Sequence, residues 1–251
     1  MIPDKTVAIH QPNFFPWLGY FAKIAESDVF VFLDDVQFPK TGGVWSNRVK
    51  LLIGPEARWA TAAIDRNYRG TRTIREMQFL PDNPWREKLL KSLEGNYRRN
   101  MGYPETMDLV APLLLSGELN VAEYNIQAVT AIAQRLGFDL NKLRRSSDLP
   151  HEGRSNDLLC SITRLVGGST YMCGGGAAGY QDEAIFNDQG VELLHQQFVH
   201  PVYSQRGRQD FVAGLSIIDA AMNLGWDGVK RLLKVRHGDV LLQTEMEKRL
   251  R

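Results

Sequence analysis

Residues 6–35 read TVAIHQPNFFPWLGYFAKIAESDVFVFLDD, and this stretch decides the fold. Residues 6–9 form a short apolar run rich in β-branched side chains, and residues 28–33 form a second run that is almost wholly apolar. Between these runs, apolar side chains recur at helical spacing from Leu18 to Ala25. A buried strand, a helix and a second buried strand make a βαβ unit, whose strands are parallel and covered on both faces.

The rest of the sequence predicts one α/β domain: a Rossmann-like, mostly parallel sheet with an antiparallel and helical insertion at approximately residues 40–120. Alternating polar and apolar residues in the insertion predict strands over 47–52, 58–64 and 73–79. Helical patterns follow over 83–93, 104–115 and 121–136, with Asn83 as a cap, Pro84 in first position and Gly137 at the last end. Beyond them we predict strands over 138–146, 169–173 and 191–198, and helices over 158–166, 182–187 and 215–224.

Composition narrows the classes of function. The chain has 251 residues, a hydrophobic share of 43%, a charged share of 24% and a net charge of +1, which are typical of a globular protein without a strong nucleic-acid or membrane-surface signal. No apolar run approaches membrane-spanning length and no signal peptide precedes the first strand, so we expect a cytoplasmic protein without membrane insertion. Cys160 and Cys173 lack metal-ligand spacing, and Cys160 is expected in the core.

The loop that follows the first strand is the leading candidate for a ligand site, because ligands of parallel sheets bind beyond the carboxyl ends of the strands. His10 is a candidate general base or phosphate contact, and Gln11 and Asn13 can hydrogen-bond amides or hydroxyls. Pro12 and Pro16 stiffen the loop. The helix N-terminus after the loop offers free N–H groups to an anion.

A purely structural interpretation of this loop stands beside the functional one. Phe14, Phe15 and Trp17, taken singly, are interpreted as a hydrophobic plug, and His10 would then bond a backbone carbonyl. Gly19 would allow a ligand or a neighbouring strand to approach closely.

Two acidic residues, Asp34 and Asp35, follow the second predicted strand. At most one of them faces a crevice while the strand continues, because successive side chains point to opposite sides. Such a carboxylate can hold a ribose hydroxyl, an amine or Mg²⁺, or it can simply cap a turn, and both readings stay open.

A glycine run, Gly174, Gly175 and Gly176, follows the predicted strand over 169–173. Backbone N–H groups without side chains in the way suit a phosphate or a carboxylate. The spacing matches neither the Rossmann fingerprint nor the Walker motif, so a tight turn explains the run equally well.

A second His-Pro pair repeats the pattern of the opening loop. His200 and Pro201 follow a predicted strand, and the aromatic Tyr203 comes shortly after them. Two cationic positions also lie near predicted element starts. They are Arg48, which follows Asn47, and Arg154, which precedes a helix and can reach a phosphate.

Several of these motifs together resemble the WbqC-like protein family. They occur in family order over most of the chain: residues 10–13, 16–21 (with Trp17, Gly19 and Tyr20), 28–37 (with Asp34, Asp35 and Gln37), 47–48, 179–180, 198–203 and 215–219. Two positions depart from the family pattern. Residues 44–46 are shorter than the usual polar run, and Arg154 stands where lysine is usual, which replaces a point charge by a planar fork.

The resemblance implies a bacterial protein of surface polysaccharide or glycolipid biosynthesis. The implied activity is transfer of an aminoacyl (glycyl) or acyl group to the amino group of a nucleotide-linked sugar. A topological similarity to the H-x-G-H region of nucleotidylyl transferases makes ATP a second candidate ligand. However, Gly19 is followed by Tyr20 and the second histidine is absent, so adenylation rests on fold analogy.

The sequence therefore predicts a transferase that binds a small-molecule substrate, a nucleotide-sugar in the first place. The alternative is a non-catalytic nucleotide- or nucleotide-sugar-binding module, favoured by the absence of a nucleophile elbow, a metal cluster or a complete Walker motif. We assign His10 and His200 as catalytic, and as binding residues Gln11, Asn13, Trp17, Gly19, Tyr20, Asp34, Asp35, Gln37, Asn47, Arg48, Arg154, Gly174, Gly175, Gly176 and Tyr203.

Overall fold

A five-stranded parallel sheet forms the centre of the molecule in a computed structural model that describes residues 4–41, 44–174 and 181–234. Its strands are β1 (Thr6–His10), β2 (Val29–Phe32), β5 (Leu143–Arg145), β6 (Thr170–Cys173) and β7 (Glu192–His195), in the spatial order β5-β2-β1-β6-β7. A separate antiparallel pair consists of β3 (Arg48–Ile53) and β4 (Glu56–Thr61). The Rossmann-like fold class predicted from the sequence is confirmed.

The helices are α1 (Leu18–Glu26), α2 (Trp85–Tyr97), α3 (Tyr103–Leu114), α4 (Val121–Leu136), α5 (Asn156–Leu165), α6 (Glu183–Asp188) and α7 (Ile217–Lys234). Short 3₁₀ helices occupy Ile74–Glu76, Leu140–Lys142 and Ser146–Asp148. The helix α7 packs against α1, α3 and α4. No helix in the described parts of the chain combines the length and the apolar character needed to cross a membrane.

The sheet separates two apolar clusters because side chains alternate between its faces. Val7 and Ile9 of β1 pack in the smaller cluster with residues of α5 and α6, among them the buried Cys160. Ala8 points to the opposite face and joins the larger cluster under α1, α4 and α7. Phe14 and Phe15 belong to that larger cluster with no exposed surface, so the plug interpretation is confirmed for these two residues.

The strand order places the crossover between β1 and β6. The chain moves from β1 to β2 on one side, continues to β5 at that edge, and then returns to place β6 on the other side of β1. Residues 6–8 pair with residues 170–172, so the carboxyl ends of β1 and β6 lie side by side. This reversal is the topological switch point at which open α/β sheets bind their ligands.

The prediction of a strand over 73–79 is wrong. These residues form the 3₁₀ turn Ile74–Glu76, flanked by single bridges at Thr73, Gln78 and Phe79. Thr73 and Glu76 form a capping box, in which the Thr73 backbone N–H donates to the Glu76 carboxylate over 2.7 Å. That reciprocal bond stabilises a turn instead of a strand ladder.

Several predicted element boundaries also need correction. The helix α2 begins at Trp85, which makes Pro84 the cap in place of Asn83. Strand β4 ends at Thr61, and β5 contains only three of the residues predicted over 138–146. Strand β7 ends at His195, so His200 lies on a loop and not at the strand end. The helix α7 continues beyond the predicted end at residue 224 through a kink at Gly225.

Candidate functional site

A cavity of about 650 Å³ opens at the carboxyl ends of β1 and β6. Its apolar and aromatic lining consists of Ile9, Trp17, Gly19, Tyr20, Leu33, Trp45, Leu159, Tyr171, Gly174 and Phe198. Its polar lining consists of His10, Gln11, Lys23, Gln196 and His200. Mostly apolar walls with a few convergent polar groups are typical of a small-molecule site.

The loop between β1 and α1 is held by two distant segments of the chain, α4 and the segment that contains Trp45 and Ser46. Asn125 of α4 is fully buried, and its Nδ2 donates to the carbonyls of Pro12, over 2.9 Å, and Ser46, over 2.7 Å. The Phe14 N–H donates to the Trp45 carbonyl over 2.8 Å. These bonds fix the loop and the segment that carries Trp45 relative to each other.

Gly19 is the position where α1 meets the wall of the cavity. A Cβ on residue 19 would lie 2.7 Å from Nε1 of Trp17 and 2.8 Å from Cδ1 of Phe198. Both distances are too short for a real side-chain contact, so only glycine fits here without a shift of an aromatic ring. The close approach expected at Gly19 is therefore made by the protein's own side chains.

His10 lies at the end of β1 with a defined hydrogen bond. Its Nδ1 is 3.1 Å from the Gln11 carbonyl, and because a carbonyl only accepts, Nδ1 carries the hydrogen and Nε2 is left as an acceptor. Burial, followed by the nearby charge of Lys23, lowers the pKa of His10 to about 3, although the Gln11 bond opposes this shift. The imidazole is therefore neutral at physiological pH.

Lys23 was missed by the sequence analysis and is the charged group of the cavity. Its side chain on α1 is only 3% exposed, and burial lowers its pKa to about 8 against the opposing influence of Cys173 and Glu26. Helical spacing was the available signal, because residue 23 lies one turn after Gly19 and Tyr20 and so on the same face of α1.

Gln196 and His200 approach the cavity from the segment after β7. The Gln196 Nε2 donates to the Glu26 carboxylate over 3.1 Å and lies 3.4 Å from the Gly19 carbonyl oxygen. The His200 ring makes an edge contact with Phe198 at a centroid distance of 5.0 Å. Burial lowers the pKa of His200, so this imidazole also favours the neutral form.

Seven of the residues assigned from the sequence meet in this cavity. They are His10, Gln11, Trp17, Gly19, Tyr20, Gly174 and His200. Gly175 and Gly176 lie outside the described residues. Trp45, Tyr171 and Gln196 also line the cavity and were not predicted from the sequence, because each reaches the cavity through the tertiary fold and not through a local motif.

The two acidic residues after β2 do not line the cavity. Asp34 is buried and accepts hydrogen bonds from the hydroxyls of Ser146, over 3.0 Å, and Ser147, over 2.9 Å. The Asp35 carboxylate lies 2.7 Å from Nε2 of His151. The carboxylates therefore join the end of β2 to the segment that begins at the end of β5, and the fold does not bring the assigned Asp34 and Asp35 to the cavity that contains His10.

Asn47 and Arg48 line a separate cavity of about 240 Å³. Asn47 donates to the Ala62 carbonyl over 2.9 Å, and the Arg48 guanidinium stacks 3.9 Å from the Trp59 ring centroid. Both side chains are engaged by the hairpin of β3 and β4, so the fold does not bring them to the main cavity.

The remaining assigned residues also lie elsewhere. Tyr203 is buried and donates to the Asp219 carboxylate over 2.7 Å, Gln37 makes a backbone bridge to Thr73, and Asn13 is buried away from the cavity lining. Arg154 is exposed before α5.

A comparison with models of protein families finds a match over most of the chain. The family model described as the WbqC-like protein family matches residues 11–231. The chain belongs to the WbqC-like protein family. The matched segment of this WbqC-like chain contains every residue that lines the cavity except Ile9 and His10.

A curated relative matches most of the chain. The WbqC-like chain is 28% identical over 222 residues to the uncharacterized protein Rv1507c of Mycobacterium tuberculosis, a match that covers 88% of this chain and 94% of the relative. No solved structure matches the chain.

Proposed function

We propose that this protein is a transferase of bacterial surface polysaccharide or glycolipid biosynthesis that acts on a nucleotide-linked amino sugar in the cavity between β1 and β6. The observation that carries the proposal is the position of the cavity. It lies at the switch point of a parallel sheet, and its residues come from both sides of that point, with His10 on one side and Gly174 on the other.

The aromatic wall suits a ligand with flat or apolar faces. Trp17 and Trp45 pack against each other at a centroid distance of 5.1 Å, and both line the cavity. Indole rings stack on nucleobases and on the apolar faces of sugars. A volume of about 650 Å³ is within the range of pockets that enclose a small molecule.

The proposed reaction is transfer of an acyl or glycyl group from an activated donor, such as a thioester, to the sugar amine. The amine nitrogen forms the bond to the acyl carbon, the bond from that carbon to the donor sulfur breaks, and the thiolate leaves. The amine loses one proton to a general base. Balance therefore requires one neutral base beside the amine.

We assign the base to His200 and a binding role to His10. With a pKa of about 3, His10 is a weak base near neutral pH, but its free Nε2 is a good acceptor for a hydroxyl or an amine of the ligand. His200 is half-buried and accessible from the cavity. Its ring packs edge-on against Phe198, which also lines the cavity.

A thermal-shift screen followed by a product assay tests the proposal. UDP-, dTDP- and GDP-linked amino sugars, ATP and CoA thioesters are added singly and in pairs, because a ligand of the native state raises the melting temperature. Mass spectrometry then detects the acylated sugar. We expect His200→Gln to retain sugar binding and to lose product formation by about a hundredfold or more. The matched control is His151→Gln, which lies outside the cavity.

Among the structural observations, the low pKa of His10 favours a non-catalytic binding module. In that case a nucleotide-sugar raises the melting temperature, yet no donor produces an acylated sugar. That result would overturn the transferase proposal, and full product formation by His200→Gln would remove His200 from it.

A further inference from the structure

One buried lysine in the described structure makes no direct contact with a counter-charge. The Lys23 side chain is 3% exposed, and within residues 4–41, 44–174 and 181–234 its ammonium group makes no hydrogen bond or ion pair. The nearby Glu26 is exposed, and its carboxylate accepts a hydrogen bond from Gln196. Nζ of Lys23 is not among the fully buried polar atoms that lack a partner, so the ammonium keeps contact with the cavity. A charge held on a buried residue without a protein partner is costly.

A second lysine near α1 shows what a structural lysine does in the same region. Lys142 is half-buried, and its Nζ donates to the Ser27 carbonyl over 2.9 Å, just beyond the end of α1. Its ammonium therefore stabilises the carbonyl end of that helix. Lys23 differs because it lines the cavity, where no carbonyl of the described part of the chain accepts a hydrogen bond from it.

The position of the ammonium group is defined by Gly174. A Cβ on residue 174 would lie 3.2 Å from Nζ of Lys23, so the absence of a side chain there allows the ammonium to lie against the end of β6. Nζ therefore lies beside the carboxyl end of β6, the strand that pairs with β1 at the switch point.

The electrostatics of the cavity favour an anion. No carboxylate is among the described residues that line it, and both lining histidines favour their neutral forms. Lys23 is therefore the charged group of this lining, and its charge acts through a mostly apolar wall where screening by water is weak. An oxyanion is the ligand group that satisfies such a site.

We propose that Lys23 holds an oxyanion of the ligand, a phosphoryl or a carboxylate group, at the floor of the cavity. The inference rests on the proposed function only in taking this cavity as the ligand site, and it deepens that function by adding an anionic requirement to its substrate. The diphosphate of a nucleotide-sugar supplies phosphoryl oxygens. An amino acid or an acidic sugar supplies a carboxylate.

Titration calorimetry with simple anions tests the proposal directly. Sulfate serves as the tetrahedral probe and acetate as the carboxylate probe, because neither changes protonation near pH 8. We expect one of them to bind wild type and to bind Lys23→Met at least tenfold more weakly. The matched control is Lys91→Met, an exposed lysine of α2, whose affinity should stay within about twofold of wild type.

Proton uptake provides a second readout that a merely structural lysine would not change. A bound anion raises the pKa of Lys23, so binding at pH 8 should take up a fraction of a proton, about one half, which is measured by repeating the titration in buffers of different ionisation enthalpy. Lys23→Met should show no uptake. Equal affinities of wild type and Lys23→Met for both probes, with no proton uptake, would overturn the anion site.

The two proposals fail in different ways. If sulfate binds through Lys23 but no nucleotide-sugar binds, the anion site stands and the proposed substrate is wrong. If a nucleotide-sugar binds wild type and Lys23→Met equally, the cavity is a ligand site but Lys23 is not its anion contact. Preference for sulfate assigns the site to a phosphoryl group, and preference for acetate assigns it to a carboxylate.

Discussion

Gly19 and Phe198 approach so closely that a Cβ on residue 19 would lie 2.8 Å from the Phe198 ring. This contact joins the start of α1 to the segment after β7, which also carries Gln196 and His200. The shape of the cavity wall therefore depends on a missing side chain. Residue 19 follows the first strand of the sheet and residue 198 follows the last, yet their side-chain positions are in contact.

Gly19→Ala should displace Phe198 or Trp17 and lower both stability and ligand affinity. Overpacking of this kind costs about 1–3 kcal/mol of unfolding free energy, measured by urea denaturation. The matched control is Gly95→Ala in α2, where nothing lies within 4 Å of the new Cβ. It should instead gain about 0.5–1 kcal/mol, because alanine favours the helix. An equal gain at residue 19 would contradict the close contact.

Lys23→Met should stabilise the ligand-free protein at neutral pH. The pKa of Lys23 falls from 10.5 to about 8 in the folded state, so below pH 8 the native protein carries the whole cost of the buried charge. The variant should gain roughly 2–3 kcal/mol at pH 7, and the gain should shrink between pH 8 and 10.5 as the unfolded lysine also loses its proton. Urea denaturation at pH 7 and at pH 10.5, in a buffer without oxyanions, measures the gain in unfolding free energy and its decrease. Lys91→Met should show no gain at either pH.

His10 should make the protein sensitive to acid. Its folded pKa of about 3 lies below the ordinary 6.5, so the unfolded state takes up a proton first as the pH falls between these values. At about pH 4.5 this effect lowers the free energy of unfolding by roughly 2–3 kcal/mol, and His10→Gln should not show this loss. An NMR titration of the His10 ring in Lys23→Met should give a higher pKa than in wild type, since the charge of Lys23 contributes to the shift. An unchanged pKa of His10 would show that the charge of Lys23 does not act on the His10 ring.

Asn125→Leu should loosen two walls of the cavity together. It removes the amide that donates to the Pro12 and Ser46 carbonyls and leaves both buried acceptors unpaired. We expect a loss of about 2–4 kcal/mol and weaker ligand binding. Gln127→Leu on the exposed side of the same helix is the control and should stay within about 0.5 kcal/mol of wild type. Comparable losses in both variants would point to an effect on α4 itself.

The parts of the fold that were predicted correctly have local signals. The helix α4 has the predicted bounds, because Asn120 caps its start and Gly137 ends it in a left-handed conformation with φ of 80°. The unit β1-α1-β2 likewise follows from two apolar runs and a helical period. The turn at Ile74–Glu76 was missed because a capping box competed with an alternating pattern there.

The candidate site was predicted less completely. His10 and Gln11 lie at a strand end that the sequence reveals, and they line the cavity. Asp34 lies at an equivalent strand end, yet Ser146 and Ser147 follow β5 and bind its carboxylate from 112 and 113 residues away. A predicted strand end locates a side chain in the sheet, but it does not predict which distant residues will bind that side chain.

By itself, the sequence determined an α/β chain whose first strand ends in a polar and aromatic loop, because apolar periodicity and proline positions act over a few residues. Only the tertiary structure decided that β6 lies beside β1, that Phe198 packs on Gly19, and that Lys23 lines the cavity with no hydrogen-bond or ion-pair partner among the described residues. The physical reason is that strand order and burial arise from contacts between distant segments. The role that we propose for Lys23 depends on the residues around its ammonium group, which come from distant parts of the chain.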